Sequence, residues 1–206
     1  MLPVWRVPQG RASSPLPEKK NHAKILPMKC ILLLLFIAFS HSVTAAPSPF
    51  TPTDWPAWRG LNGDGHAKEI EGLPLKWNDS KNVVWKIALP GRGHSTPTIV
   101  GNRIYLATAE TEKQEQSVLC FEKDTGKLIW NTTVHKGNFV KGGNKNASQA
   151  SSSVVCDGTQ LYVSFPNNNK IHTTALSIEG KVLWQRAVTD YVIHQGFGTS
   201  PTVYRD

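Results

Sequence analysis

A tryptophan-containing segment that recurs along the chain constrains the fold more than any other feature. It occurs as Val84–Leu89, Ile129–Val134 and Leu183–Val188, with the tryptophans 45 and 54 residues apart. A glycine turn precedes the second and third copies, as Thr125–Lys127 and Glu179–Lys181. Recurrence of several features in one order indicates an architecture of repeated, stacked units.

Two further features recur in phase with the tryptophans. Hydroxyl-rich segments occur as Ser95–Ile99, Ser151–Val155 and Thr199–Val203. The second and third segments are about one repeat apart. Aliphatic and tyrosine residues recur as Arg103–Leu106 and Gln160–Val163. Each unit therefore contains the same features in the same order.

Within one unit the pattern predicts four short strands joined by hairpins. The first ends at Val100 and turns at Gly101-Asn102, where glycine tolerates a positive φ. The others are predicted at Arg103–Thr108, Ser117–Phe121 and Leu128–Val134. Their apolar runs are nearly continuous, which indicates a sheet covered on both faces.

Residues 107–117 contain helix-forming residues, yet no apolar residue lies between Ala109 and Val118. A helix that packs on a core needs an apolar stripe. We therefore predict an exposed loop over this range.

Four-stranded units of about 45 residues, covered on both faces, are typical of an all-β fold, the β-propeller with antiparallel blades. A β-sandwich is the alternative, but it would not repeat the tryptophan and the glycine turn in phase. Residues 83–206 hold two blades and the first strand of a third. Since a ring needs about 4–8 blades, we expect a truncated propeller.

The N-terminal region has the pattern of a secretory signal peptide over residues 28–45. Nine apolar residues, Ile31–Phe39, are too few to span a bilayer core of about 30 Å. Small residues favour cleavage between Ala45 and Ala46 and export to the periplasm or the extracellular space; an uncleaved membrane anchor is the alternative. The predicted organisation is an extension at 1–27 ahead of a true start at Met28, the signal peptide, a linker at 46–53 and propeller repeats at 54–206.

The positive charge of the chain is concentrated in this N-terminal region. Residues 1–45 contain six bases and one acid, whereas residues 46–206 contain 17 bases and 14 acids. The propeller region therefore carries a net charge of only +3, and nucleic acid is not predicted as a partner.

The segment from Cys120 to Trp130 resembles the tryptophan-docking repeat, A-x-D-x-x-T-G-x-x-x-W, of the pyrroloquinoline-quinone (PQQ)-like propellers. Ala175 to Trp184 is a second copy that is one residue shorter. The opening residues 54–65 are similar to the entry of secreted proteins of this group. The resemblance implies that each tryptophan packs near a glycine of the neighbouring repeat, and it assigns this structural role to Cys120, Thr125, Gly126, Trp130, Ala175, Gly180 and Trp184.

In the quinoprotein dehydrogenases of this superfamily, PQQ lies on the propeller axis with Ca²⁺, and many members stack the quinone on vicinal cysteines. This chain has no Cys-Cys pair, and the Asp and Glu residues of its predicted blades show no pair that is placed to supply calcium ligands. We therefore predict no cofactor, no metal site and no catalytic residue. Cys120 and Cys156 are predicted to be buried fillers, with a disulfide between them left open.

Polar residues precede the innermost strands, and these strand entrances converge on the central channel of a propeller. Such residues are candidates for a polar ring around a ligand, or for satisfying buried backbone groups near the axis. The candidates are Arg92, His94, Lys145, Asn146, Ser148, His194 and Gln195.

The sequence thus predicts an exported propeller that acts as a protein-binding or ligand-binding module, or scaffold, of the cell envelope. Its partner or small ligand would contact the loops or the channel. The alternative is the N-terminal part of a PQQ-dependent quinoprotein dehydrogenase that oxidises alcohols or sugars, with PQQ and calcium as cofactors.

Overall fold

The computed structural model describes residues 48–68 and 72–204 of the chain. The chain divides into two units, Met1–Ala46 and Pro47–Asp206, and all described residues belong to the second. The predicted extension at 1–27 and signal peptide at 28–45 lie outside the described residues. No helix in the described part of the chain is long and apolar enough to cross a membrane.

Within the described residues, eight strands form two four-stranded antiparallel sheets, each with its strands in sequence order. The predicted all-β fold with four-stranded antiparallel units is confirmed. Blade 1 contains β1 (Thr98–Val100), β2 (Arg103–Glu110), β3 (Glu115–Glu122) and β4 (Leu128–Lys136). Blade 2 contains β5 (Val155–Cys156), β6 (Gln160–Asn167), β7 (Lys170–Ser177) and β8 (Val182–Asp190).

The turns between these strands follow from residues that tolerate a positive φ. Gly101 starts the turn between β1 and β2 with φ 56°. Asn168 and Asn169 connect β6 to β7 with φ values of 49° and 54°, the conformation that a two-residue hairpin with the correct twist needs. Gly126 and Gly180 close the last hairpin of each blade with φ 71° and 87°.

The two blades share their irregularities as well as their strands. Blade 1 has register shifts between β3 and β4 after Gln116 and after Cys120. Blade 2 has them between β7 and β8 after Ile171 and after Ala175. Because these positions are four residues apart in both blades, the repeat extends to the bulges.

The middle strands of each blade form the core. Most residues of β2, β3, β6 and β7 are buried, as expected for sheets covered on both faces. The largest fully buried side chains include Tyr105, Leu119, Leu161 and Phe165. At about 25 cal/mol per Å² of apolar surface, burial of such side chains is the main source of stability.

Three details of the sequence-based prediction are wrong. The exposed loop expected over residues 107–117 is only the turn at residues 111–114, because polar residues extend β2 and β3 into a longer hairpin. Residues 199–203 form no strand, since no described strand lies beside them as a hydrogen-bonding partner. In the hydroxyl-rich repeat, Ser152, and not Ser151, corresponds to Ser95.

The serine register follows from matching hydrogen bonds. The Oγ of Ser95 accepts a bond from the amide of Ala107 at 3.1 Å, and the Oγ of Ser152 accepts one from the amide of Ser164 at 3.4 Å. Both bonds join residues twelve positions apart. Three consecutive serines made the register ambiguous in the sequence.

Candidate functional site

Two segments that precede the inner strands are held side by side by backbone hydrogen bonds. Arg92 pairs with Ala109 on β2, through N···O distances of 2.9 Å and 3.1 Å. The amide of His94 donates to the carbonyl of Ala150 at 3.0 Å. Gly93 lies between these residues, and a Cβ there would be 2.5 Å from the Ala107 carbonyl oxygen. The backbone is therefore packed too closely for a side chain.

The side chain of Arg92 connects the first segment to the second. Its Nη2 donates to the carbonyl oxygen of Asn146 at 2.8 Å and lies 3.4 Å from Nε2 of His94. Arg92 and Asn146 are therefore in contact although they are 54 positions apart in the sequence. The guanidinium keeps further N–H donors beyond this bond.

Asn144 connects the second segment to the third. Its amide N–H donates to the carbonyl of Gln195 at 3.1 Å, and its Nδ2 donates to Oε1 of the same glutamine at 3.1 Å. Its Oδ1 accepts from the amide of Asn146 at 2.8 Å. A continuous set of hydrogen bonds therefore runs from Arg92 through Asn146 and Asn144 to Gln195.

A cleft of about 410 Å³ lies beside these hydrogen bonds. Phe139 and Val140 contribute apolar surface to it, and the buried Ser148 bonds Ser151 through their hydroxyls at 2.9 Å. The cleft is lined by Arg92, Ala109, Thr111, Gln114, Phe139, Val140, Lys141, Gly142, Asn144, Lys145, Ala147, Ser148 and Gln149.

The structure brings most of the predicted candidates together. Arg92, Lys145 and Ser148 line the cleft, and His94, Asn146 and Gln195 are connected to it as described. His194 is exposed and makes no hydrogen bond within the described part of the chain. Sequence reasoning missed Asn144 and Lys141. The signal for them is the run of lysine, asparagine and glycine at 141–146, a composition that is equally typical of a solvated loop.

Two of the repeated tryptophans, Trp85 and Trp130, contact glycine turns. A Cβ on Gly126 would be 2.6 Å from the Trp85 ring, and one on Gly180 would be 2.6 Å from the Trp130 ring. Nε1 of Trp85 donates to the carbonyl of Lys123 at 2.8 Å. Nε1 of Trp130 donates in the same manner to the carbonyl of Ile178 at 3.2 Å. Each indole thus covers a glycine of the next blade and bonds its turn.

The small residue of the docking motif lies opposite the tryptophan of its own blade. Cys120 pairs with Trp130 across β3 and β4, and Ala175 pairs with Trp184 across β7 and β8. Thr125 supplies the hydroxyl that accepts from the amide of Lys127 at 3.2 Å and supports the turn.

A family model described as outer membrane protein assembly factor BamB, built on PQQ-like repeats, matches residues 69–192, more than half of the chain. The chain belongs to this family. The predicted resemblance to PQQ-like propellers is confirmed. No curated protein matches the chain significantly.

The residues of this BamB-family chain that the structure describes do not fit a PQQ and calcium site. Ca²⁺ takes 6–8 oxygen ligands. Across residues 48–68 and 72–204, no three His, Cys, Asp or Glu side chains are grouped to hold a metal ion. Cys120 and Cys156 are buried and lie on different strands, β3 and β5, so they provide no vicinal pair for a quinone.

Burial in the core governs the chemistry of Cys120. Desolvation raises the pKa of its thiol to about 11, and the charge of Arg103 opposes this rise. A thiol needs its thiolate form to act as a nucleophile. Cys120 is therefore a packing residue of the BamB-family repeat at neutral pH.

Hydroxyl groups join the segments that precede β1 and β5 and the matching segment at Ser200, which the sequence did not reveal. The amide of Thr96 donates to Oγ of Ser153 at 2.9 Å, and the amide of Ser153 donates to Oγ of Ser200 at 2.9 Å. Ser200 therefore occupies the position of a third repeat, although its segment forms no strand.

A buried amide network also joins the two blades beneath the cleft. Nε2 of Gln116 donates to the carbonyl of Gln149 at 2.8 Å and to that of Pro166 at 3.0 Å. Nδ2 of Asn167 donates to Oε1 of Gln116 at 3.2 Å and to the carbonyl of Gly137 at 2.8 Å. This network supports the loop that carries the cleft in this BamB-family chain.

Proposed function

We propose that this chain is an exported binding module of the cell envelope, which engages a protein or ligand through the cleft at the inner ends of its blades. The observation that carries the proposal is the hydrogen-bonded junction of three sequence-distant segments at Arg92, Asn144 and Gln195. Such convergence of polar groups beside apolar surface is typical of binding sites.

The proposed location rests on the N-terminal sequence and on the family. Residues 28–45 have the charged start, short apolar run and small-residue cleavage site of a signal peptide. The description of the matched family names an outer membrane assembly factor, which is consistent with an envelope role. Binding through propeller loops is likewise consistent with a family of assembly factors.

Export is tested with the full chain fused at its C-terminus to a reporter enzyme that is active only outside the cytoplasm. We expect reporter activity and a mature N-terminus at Ala46. A control with Leu34→Arg interrupts the apolar run and should abolish both. Cytoplasmic retention of the unmodified chain would contradict export, and an exported but uncleaved chain would indicate a membrane anchor.

Binding is tested with a photo-cross-linking residue placed at Lys145 in the cleft, or at Lys181 on a distant turn as the matched control. Both positions are exposed, so neither change should disturb the fold. In living envelopes we expect a discrete cross-linked product from position 145 only. Equal products from both positions, or none from position 145, would argue against a binding cleft.

The quinoprotein alternative is tested by reconstituting the full chain with PQQ and Ca²⁺. Because the described donor set does not fit this cofactor, we expect neither a quinone absorbance shift nor dye-linked alcohol oxidation. A stoichiometric shift accompanied by oxidation would replace the binding function with the enzymatic one.

A further inference from the structure

Three of the segments around the cleft carry positive charge and no acid, whereas the turn that contributes Thr111 and Gln114 also carries Glu110 and Glu112. Residues 90–97, 138–154 and 191–204 contain Arg92, Lys141 and Lys145, and they contain no Asp or Glu. The lining residues of the cleft include the same three cations and no carboxylate. These segments therefore differ from residues 46–206 as a whole, in which bases and acids nearly balance and the net charge is only +3.

Two acids of the adjoining hairpin, Glu110 and Glu115, are paired with lysines, and Glu112 of the same hairpin does not line the cleft. Lys113 lies 2.7 Å from Glu110, and Lys136 lies 3.0 Å from Glu115. Within residues 48–68 and 72–204, Arg92, Lys141 and Lys145 form no ion pair. The lining of the cleft therefore presents three unpaired cations and no carboxylate to a ligand.

The geometry of Arg92 suits a carboxylate. Its bond to the carbonyl of Asn146, together with the contact to His94, fixes the guanidinium at the edge of the cleft. A guanidinium has five N–H donors in a planar fork, which matches the two oxygens of a carboxylate. Donors beyond the fixed one remain for such a group.

Apolar surface in the same cleft favours a peptide over a small free anion. Phe139 is half-buried, Val140 is 5% exposed, and both line the cleft together with the three cations. A volume of about 410 Å³ lies within the range of pockets that bury organic ligands. A small anion would leave the apolar surface uncovered.

We propose that the cleft binds an acidic peptide segment, with carboxylates paired to Arg92, Lys141 and Lys145 and apolar atoms against Phe139 and Val140. This inference rests on the proposed function, because it names the ligand class of the same cleft. Opposite charge across a binding surface contributes specificity and speeds association, and its effect weakens with salt.

The test measures binding of a fluorescein-labelled hexaglutamate peptide to the full chain by fluorescence anisotropy at low salt. We expect saturable binding that weakens as salt is added, and no binding of the matching hexaglutamine peptide. The variant R92Q/K141Q/K145Q should weaken binding about tenfold. The control K123Q/K127Q/K181Q removes the same charge from exposed turns and should change binding less than twofold.

Four outcomes would overturn the proposal. These are no hexaglutamate binding, equal weakening in both triple variants, equally tight binding of citrate, and preferred binding of a single-stranded oligonucleotide. Single variants K141Q and K145Q, which change only exposed side chains, give a reading even where the triple variant folds poorly. If hexaglutamate does not bind while position 145 still cross-links an envelope component, the ligand class is wrong and the binding function stands.

Discussion

The two blades have the same local structure and different surroundings. In blade 1, Trp130 lies opposite Cys120, stacks near Tyr105 and packs on the glycine turn of blade 2. In blade 2, Trp184 lies opposite Ala175 and near Tyr162 in the same arrangement, yet it is 41% exposed. Every residue of β8 is exposed, whereas β4 alternates with partly buried positions.

This difference shows which properties are local and which come from the neighbour. Strand register, bulges and the glycine turn are the same in both blades, so each blade sequence specifies them. Burial of the tryptophan depends on the adjacent glycine turn. Residues 84–89 support this separation, because they form no strand and yet Trp85 contacts Gly126 and bonds the carbonyl of Lys123.

The largest effect is expected from removing the docked indole. Trp130→Ala should lower the free energy of unfolding by about 3 kcal/mol, because it leaves a cavity against Gly180. Trp184→Ala should cost about 1 kcal/mol, since this residue is 41% exposed and lacks a docking glycine in the described residues. Urea unfolding of both variants measures the difference, and equal losses would contradict the comparison.

The glycine side of the contact provides a matched control. Gly180 and Gly101 both have positive φ, but only a Cβ on Gly180 would meet the Trp130 ring. Gly180→Ala should therefore destabilise the chain more than Gly101→Ala, which adds backbone strain without a clash.

The next largest loss of stability is expected from replacing Gln116. This glutamine occupies the position in blade 1 that the apolar Ile171 has in blade 2. Gln116→Leu should cost about 2 kcal/mol, since it leaves the carbonyls of Gln149 and Pro166 without their buried donor. Thermal and urea unfolding measure this loss. An unchanged stability would mean that the amide network contributes nothing beyond packing.

A half-buried histidine pair at the blade interface predicts a dependence on pH. The rings of His135 and His172 lie 4.9 Å apart, and their Nε2 atoms are buried without hydrogen-bond partners. Burial, and then the charge of His172, lower the pKa of His135 to about 4. Because the folded state resists protonation, stability should be complete above about pH 6.5 and decline as the pH falls toward 4.

His135→Phe should remove this decline, as seen in unfolding midpoints measured from pH 7 to pH 4. His66→Phe is the control, since the His66 side chain is 85% exposed and its replacement should leave the decline intact. A decline that persists unchanged in the His135 variant would assign it to other groups.

The smallest loss of stability is expected in the segment Asp54–Pro56, whose backbone bonds both β1 and β5. The backbone of Trp55 pairs with that of Ile99, and the carbonyl of Pro56 accepts from the amide of Cys156 at 2.9 Å. Asp54 fixes this segment by accepting from the amide of Gly101 at 2.8 Å. Asp54→Ala should cost about 1 kcal/mol in urea unfolding at neutral pH.

The same carboxylate predicts a separate acid effect. Burial alone would raise the pKa of Asp54, but hydrogen bonds from the amides of Gly101 and Thr51 outweigh it and hold the pKa below its ordinary value. Its contribution should therefore be present above about pH 4 and be lost only in stronger acid. A difference between wild type and Asp54→Ala that disappears already at pH 6 would contradict this assignment.

The sequence predicted the blades because tryptophan and glycine repeat in phase and each has one role. It did not determine the serine register, because Ser151, Ser152 and Ser153 offer the same hydroxyl acceptor to a backbone amide. Six of the seven polar candidates lie at or beside one cleft in the structure, and their role in binding stays a prediction. The sequence could not reveal His135 with His172 or Gln116 with Asn167, since these pairs join different blades and follow no local pattern.

The most direct test of indole docking is hydrogen exchange of the tryptophan Nε1–H groups, followed by NMR. Trp85 and Trp130 donate to carbonyls of the next turn, whereas Trp184 donates to no acceptor in the described residues. We predict slow exchange for Trp130, intermediate exchange for the less enclosed Trp85, and fast exchange for Trp184. Equal exchange of Trp130 and Trp184 would contradict the account that adjacent blades are joined by a tryptophan packed on a glycine turn.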